Sequence, residues 1–197
     1  MTLAHLALLT ATATATSSGG LAGSWALVDE PGALYVTLRP ASLFGFLAHR
    51  HVVEARGYRG EVRYDPAKPE ACRIEIAVPV SGLVVDRPAL RADLGFDKEL
   101  SDEDRRKVDA NMRAENQLHA DAHATIRFSA RRCETSSDDS GQLIVTGVLE
   151  IRGATREVRV PVRVRREGAR LGIESRFSER HQSFGFEPYS TFAGAVK

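Results

Sequence analysis

Apolar and polar positions alternate along most of the chain from Ser24 onward, the spacing of a β-strand with one face turned away from water. Over residues 73–80, Ile74, Ile76, Val78 and Val80 share one face, while Arg73, Glu75, Ala77 and Pro79 share the other. Residues 157–165 are cleaner still, with Val158, Val160, Val162 and Val164 opposed to Arg159, Pro161, Arg163 and Arg165. The same alternation predicts strands over residues 34–38, 60–64, 125–131, 142–151 and 170–178, the last carrying Leu171, Ile173 and Phe177 on its apolar face. Turn-forming residues separate them: Asp65-Pro66, Ser140-Gly141, Arg152-Gly153-Ala154-Thr155 and Glu167-Gly168. Successive hairpins of this kind build an antiparallel meander.

Two stretches depart from period two. Residues 101–118 (SDEDRRKVDANMRAENQL) place Ser101 and Asp104 at capping-box spacing and put acidic residues in the first turn, where the positive end of a helix favours them. Val108 and Met112 fall four apart, and the stretch predicts a helix of about four turns. Ahead of it, residues 87–96 (RPALRADLGF) carry Leu90 and Leu94 at the same spacing and predict a shorter helix or lid segment. Together they form an insertion over residues 87–118 between two strands. At least eight one-faced strands and a single substantial helix leave too little helical surface to cover a flat sheet. The class is therefore all-β, with the sheet curled into a closed antiparallel barrel or a two-sheet sandwich. Its inward positions are Val, Ile and Leu, and only 13 residues are aromatic. In an eight-stranded barrel, moderate aliphatics favour a cavity for one small ligand over a solid interior.

Composition narrows the function. The 197 residues fit one domain, and 27 Lys+Arg against 26 Asp+Glu leave a net charge of +1, which excludes the basic field that nucleic acid would require. A hydrophobic content of 43% is enough to bury a core, and no apolar run is long enough for a membrane-spanning helix. Residues 2–9 are apolar, and the Ala/Thr alternation that follows includes Ala13-Thr14-Ala15, small residues of the kind a signal peptidase accepts, but no Lys or Arg precedes them. Residues 1–23 are accordingly expected to lie outside the fold as a disordered tail or signal-like segment, with Ser17-Ser18-Gly19-Gly20 as linker and the domain over residues 24–197. Cys72 and Cys133 lack metal-motif spacing and read as buried free thiols, with a single bridge only if their strands adjoin in an exported protein.

Five blocks in order resemble the YceI-like family. The hairpin over residues 146–164 (TGVLEIRGATREVRVPVRV) is similar to the signature hairpin of that family, and residues 120–129 (ADAHATIRFS) to the segment ahead of one of its barrel strands. Residues 60–66 (GEVRYDP), 183–188 (SFGFEP) and 24–29 (SWALVD) resemble further family blocks. The resemblance implies an eight-stranded, lipocalin-like antiparallel barrel that binds a long amphiphilic lipid, a polyisoprenoid or isoprenoid quinone, as a carrier rather than an enzyme. It also implies a periplasmic or cell-envelope setting, with the cytoplasm as the alternative. The chain departs from the family pattern at Ala124, where proline is usual, in its longer helical insertion, and in ending at Lys197 where a full last strand is usual. These departures lead us to expect a looser strand entry, an altered cavity mouth, and barrel closure left open or supplied by a second copy.

On this reading Ile76, Val78, Ile126, Phe128, Val160 and Ile173 line the interior. Phe44, Phe46 and Leu47, with Phe184, form an apolar lip, Leu90 and Met112 form a gate on the insertion, and Leu94 on the same insertion also meets the ligand. Asp86, Arg87, Arg91 and Asp93 read as a solvated run or as polar groups at the mouth. His49 and His51 project to one face of a strand, where two imidazoles could hold a metal; the competing reading makes them structural or mouth-lining. His119 and His123 have ligand spacing only if helix continues through them. No H-E-x-x-H, nucleophile elbow or phosphate loop is present, so neither catalysis nor a cofactor is expected. The alternatives to a lipid carrier are a metal-binding protein or metalloenzyme built on His49 and His51, and a stress-response barrel without ligand. Expected partners are a polyisoprenoid or other long-chain lipid, a membrane surface during loading, and a second copy of the chain.

Overall fold

A computed structural model describes residues 3–15, 22–38, 50–96, 98–139 and 141–185. The strands are β1 (Leu3–Ala15), β2 (Gly23–Val28), β3 (Leu34–Leu38), β4 (His51–Ala55), β5 (Arg59–Tyr64), β6 (Arg73–Pro79), β7 (Leu83–Val85), β8 (Thr125–Thr135), β9 (Leu143–Ile151), β10 (Ala154–Glu167), β11 (Arg170–Ser175) and the short β12 (Glu179–Arg180). Two helices, α1 (Pro88–Asp93) and α2 (Asp102–Arg113), fall between β7 and β8. The predicted insertion is therefore present. The Ser101 hydroxyl accepts the Asp104 N–H at 3.1 Å and caps α2, which runs three turns instead of four because the backbone of Ala114 swings to an extended ψ of 159°.

All pairings are antiparallel. They run β1–β2–β5–β6–β8–β9–β10–β11 and return to β1, where Leu9 lies opposite Ser175 and Thr14 opposite Arg170, so the meander closes on itself. The interior is apolar for the reason the sequence suggests: Val158, Val160 and Val162 are buried, whereas Arg159 and Arg165 face solvent.

Three positions across the sheet are each filled by two strands lying end to end. β2 and β3 lie end to end along one edge of β1, with Val28 opposite Thr12 and Leu38 opposite Ala4. β4 and β5 follow beside them, and β6 and β7 beside those. The interruptions fall at one level and are bonded to one another. The Tyr58 hydroxyl donates to the Val28 carbonyl at 2.8 Å, the Gly57 N–H to Asp29 Oδ2 at 2.8 Å, and the Arg56 N–H to the Gly82 carbonyl at 2.9 Å. Glycine is needed at 82, where a Cβ would sit 2.1 Å from the Arg56 carbonyl oxygen. Beyond this level β3, β4 and β7 form a wing, covered on both faces.

The buried side chains divide accordingly. A first cluster, around Trp25, Val62, Ala130, Val145, Val160 and Leu171, fills one end of the ring. A second joins the inner face of the wing, through Val53, Ala55, Leu83 and Val85, to Val108, Met112 and Leu118 at and after α2. A third, Tyr35, Val52 and Leu90 with Leu94 and Phe96, seats α1 on the opposite face of the wing.

Two expectations are corrected. Residues 1–23 do not all lie outside the fold: Leu3–Ala15 forms β1, the strand that closes the ring. Without it β2 and β11 would present open edges, so the hydrogen-bonding demand of two strands places a segment whose own sequence carries little strand signal. Cys72 and Cys133 are a disulfide, not free thiols: Ile74 pairs with Ala130, which brings the two cysteines to a Cα separation of 5.9 Å. The insertion between β7 and β8 hides that adjacency from the sequence. The entry to β8 is also not loose, since the Ala124 carbonyl accepts the Val80 N–H at 2.9 Å.

Candidate functional site

The inner face of the ring is buried unevenly. The row Trp25, Val62, Ile74, Ala130 and Val158 forms a floor, buried throughout except at the half-buried Ile74. The next row towards the wing, in register across β5, β6 and β8, is Gly60, Ile76 and Phe128, with Leu27 packed over Gly60. Its side chains Leu27, Ile76 and Phe128 are only half-buried, as are Ile126 and Ile151 beyond them. Leu27 and Ile126 touch both the first and second clusters and so span the step between them. Glycine shapes this band twice. A Cβ at Gly60 would lie 2.8 Å from Leu27 Cδ1, and one at Gly147 would lie 2.7 Å from the Phe128 ring, so Phe128 leans over a missing side chain. The result is an apolar band one layer above a packed floor, and α2 lies across its far end through Met112.

The predicted site residues are distributed over this frame. Ile76, Ile126 and Phe128 belong to the half-buried band, and Val78 and Met112 to the cluster that covers it. Val160, Ile173 and Phe184 are fully buried in the first cluster, as packing of the floor. Leu90 and Leu94 are not brought to the interior: they pack with Tyr35 and Val52 on the outer face of the wing. The physical reason is that α1 and α2 cover opposite faces, which a shared i, i+4 spacing cannot distinguish. Phe44, Phe46, Leu47 and His49 lie outside the described residues. Leu27, Gly60 and Ile151 were missed; strand register is the signal that groups them, and register follows only once partners are known.

The wing carries a buried charged network. Asp86, fully buried at a backbone φ of +48°, receives the Val52 N–H at 3.0 Å and Arg91 Nη1 at 2.7 Å on Oδ1, while His51 Nδ1 lies 2.6 Å from Oδ2. Arg91 also donates to the carbonyls of Arg50 at 2.8 Å and Lys98 at 2.7 Å, which ties α1 and its following loop to β4. Glu54, buried beside it, is paired with Arg87 and accepts the Gly32 N–H at 2.7 Å. Burial alone would raise both carboxyls. Hydrogen bonds from His51 and the Val52 amide hold Asp86 below the usual carboxylate range, and those from Arg87 and Gly32 do the same for Glu54. Asp86, Arg87 and Arg91 are thus internal fastenings of α1 rather than a solvated run.

His51 is held by a carboxylate, and His49 is not among the described residues. Among the described residues no three metal-ligating side chains converge. The helix does not continue through His119 and His123: α2 ends at Arg113, His119 has a φ of +48°, and the two lie in a turn closed by the His123 N–H donating to the His119 carbonyl at 2.9 Å, their rings edge to face with centroids 5.6 Å apart.

Two solved structures of YceI proteins share this fold. A mutant CJ YceI protein matches with a TM-score of 0.52 at 13% identity, over 68% of this chain and 70% of that one. The Campylobacter jejuni YceI protein matches with a TM-score of 0.50 at the same identity and coverage. BcnA of Burkholderia cenocepacia is 14% identical over 66% of this chain and 87% of its own, with a TM-score of 0.46. No curated protein is significantly similar in sequence. The model of the YceI-like domain matches residues 37–197, which takes in β4 to β12 and both helices. The chain belongs to the YceI-like domain family.

Proposed function

We propose that this barrel binds the apolar chain of a long amphiphilic lipid, a polyisoprenoid or isoprenoid quinone, in the half-buried band above the Trp25 floor. The observation that carries the reading is the band itself: Leu27, Ile76, Ile126, Phe128 and Ile151 face inward on a closed sheet yet stay partly accessible. Inward aliphatics normally lose their accessible surface to neighbours. A chain lying against them would remove it, at about 0.8 kcal/mol per buried methylene, so a single isoprene unit supplies roughly 3 kcal/mol towards the cost of immobilisation. The side chains of this band are uncharged, so tail shape and length set selectivity there.

The role is carriage or storage, not catalysis, and the Cys72–Cys133 bridge suits an oxidising compartment such as the periplasm or cell envelope. Loading from a membrane surface and pairing with a second copy complete the reading. Organic extraction of protein purified without detergent, followed by mass spectrometry, is expected to release a prenyl or quinone species near one per chain. A clean extract, together with no thermal shift on adding a long-chain polyprenol, would leave a ligand-free barrel and end the carrier reading.

A further inference from the structure

His51 sits where the apolar band meets the rim. It opens β4 directly opposite Leu38, and strand alternation puts it on the same face as Val53 and Ala55, which belong to the cluster that α2 covers. Leu38 packs against that cluster too. The His51 side chain is 25% exposed, and its Nδ1 is committed to Asp86. The rest of the arrangement fixes that commitment. Asp86 adopts a left-handed φ of +48°, a conformation that costs a non-glycine residue on the order of 1 kcal/mol or more, and its carboxylate is locked from the other side by the Val52 amide and by Arg91. A buried anion with both oxygens engaged can accept the imidazole proton but has none to give. It therefore fixes a hydrogen on Nδ1, and in the neutral ring the Nε2 lone pair is left outermost. Among the described residues Nε2 makes no hydrogen bond.

We infer that His51, oriented by Asp86, is the polar anchor of the ligand, and that the headgroup it takes is a hydrogen-bond donor, a hydroxyl, rather than an anion. The local charges favour this chemistry. Asp86 and Arg91 neutralise one another, and Arg50, the adjacent cation, is turned away, 4.2 Å over the Phe96 ring with its guanidinium on the Gly95 carbonyl. Arg87 is engaged by Glu54. An anionic headgroup at His51 would meet no free cation among these side chains, each of which is already engaged. A hydroxyl would donate to Nε2 while its chain ran down towards Ile126 and Ile76.

The inference rests on the carrier reading, and its test separates the two. Binding of a long-chain polyprenol is compared with binding of the parent hydrocarbon of equal length, for the wild-type protein, His51→Phe and His51→Gln. The wild type is expected to prefer the prenol about tenfold, the worth of one good hydrogen bond. His51→Phe, which keeps the ring and loses the nitrogen, is expected to bind the hydrocarbon as before and to show no preference. His51→Gln, which restores an acceptor, is expected to recover part of it. Equal wild-type affinity for both ligands, or a preference that survives in His51→Phe, overturns the anchor and leaves the carrier standing. No binding of either ligand by the wild type overturns both.

Discussion

Removing the Cys72–Cys133 bridge tests the fold's topology in a quantity that can be worked out in advance. The two cysteines are 61 residues apart in sequence, and the loop they close contains the whole helical insertion. In the chain-entropy model a loop of that length costs the cross-linked unfolded chain about 14 cal/mol/K, or roughly 4 kcal/mol at 25 °C. Reduced wild-type protein keeps both sulfurs and so reports the cross-link alone. A Cys72→Ala/Cys133→Ala protein also loses two buried sulfur atoms, and a further loss of about 1–2 kcal/mol is expected. With a urea m-value near 2.5 kcal/mol/M, the midpoint should fall by about 1.6 M on reduction and further in the double variant. Both sulfurs are buried, so the bridge in folded protein should resist reductant until the chain opens. A midpoint shift below about 0.4 M, or two free thiols titrated in denatured, never-reduced protein, would falsify the pairing and with it the β6–β8 register.

Four other outcomes follow from named contacts. Asp86→Ala leaves Arg91 buried without its carboxylate and should cost about 3–5 kcal/mol in chemical denaturation, whereas Asp86→Ala combined with Arg91→Met should cost less than the two singles summed. Acid should destabilise the wing: Asp86 and Glu54 are held below the usual range when folded, so the unfolded chain takes up protons first. The stability they supply is complete above about pH 5 and is lost progressively as pH falls below the ordinary carboxylate range and through their depressed folded-state values, and a urea series carried down through that range should be flatter for Glu54→Gln. Ser101→Ala removes the α2 cap and should cost about 1 kcal/mol, read by thermal unfolding. Hydrogen exchange should find α2 amides opening well before those of β9 and β10; equal protection would rule out α2 as the moving part.

How far the sequence speaks depends on whether an element's partner is near it in the chain. The hairpin of β9 and β10 is legible from alternation and from Arg152-Gly153 alone, because each strand is the other's neighbour. Both helices are legible from i, i+4 spacing, and α2 also from its Ser101 cap. The end-to-end breaks at Asp29, Gly57 and Gly82 are not, since each reads locally as an ordinary loop and only their mutual hydrogen bonds show that they form one line across the sheet. Asp86 reads as one of several surface charges; its burial comes from Arg91 five residues later and His51 thirty-five residues earlier. Leu90 and Met112 have the same local signature, and the side of the wing each faces is decided by how the insertion crosses it.

The two helices of the insertion are fastened by different forces, and that difference bears on how a ligand would enter. α1 contributes fully buried Leu90 and Arg91, and Arg91 joins it to β4 through Asp86 and two carbonyls. Lifting α1 would strand a buried carboxylate and a buried guanidinium together, a cost of several kcal/mol. α2 has no fully buried side chain. It is held by the half-buried Val108 and Met112 and by Arg113, which donates to the carbonyls of Val80 and Leu83 at 2.7 Å each, bonds that water can replace. Displacing α2 exposes two side chains and exchanges hydrogen bonds with solvent, while displacing α1 breaks the buried Asp86–Arg91 pair. If the interior is filled from the wing end, the path therefore runs under α2, with α1 and the His51–Asp86 pair as the fixed jamb against which it moves.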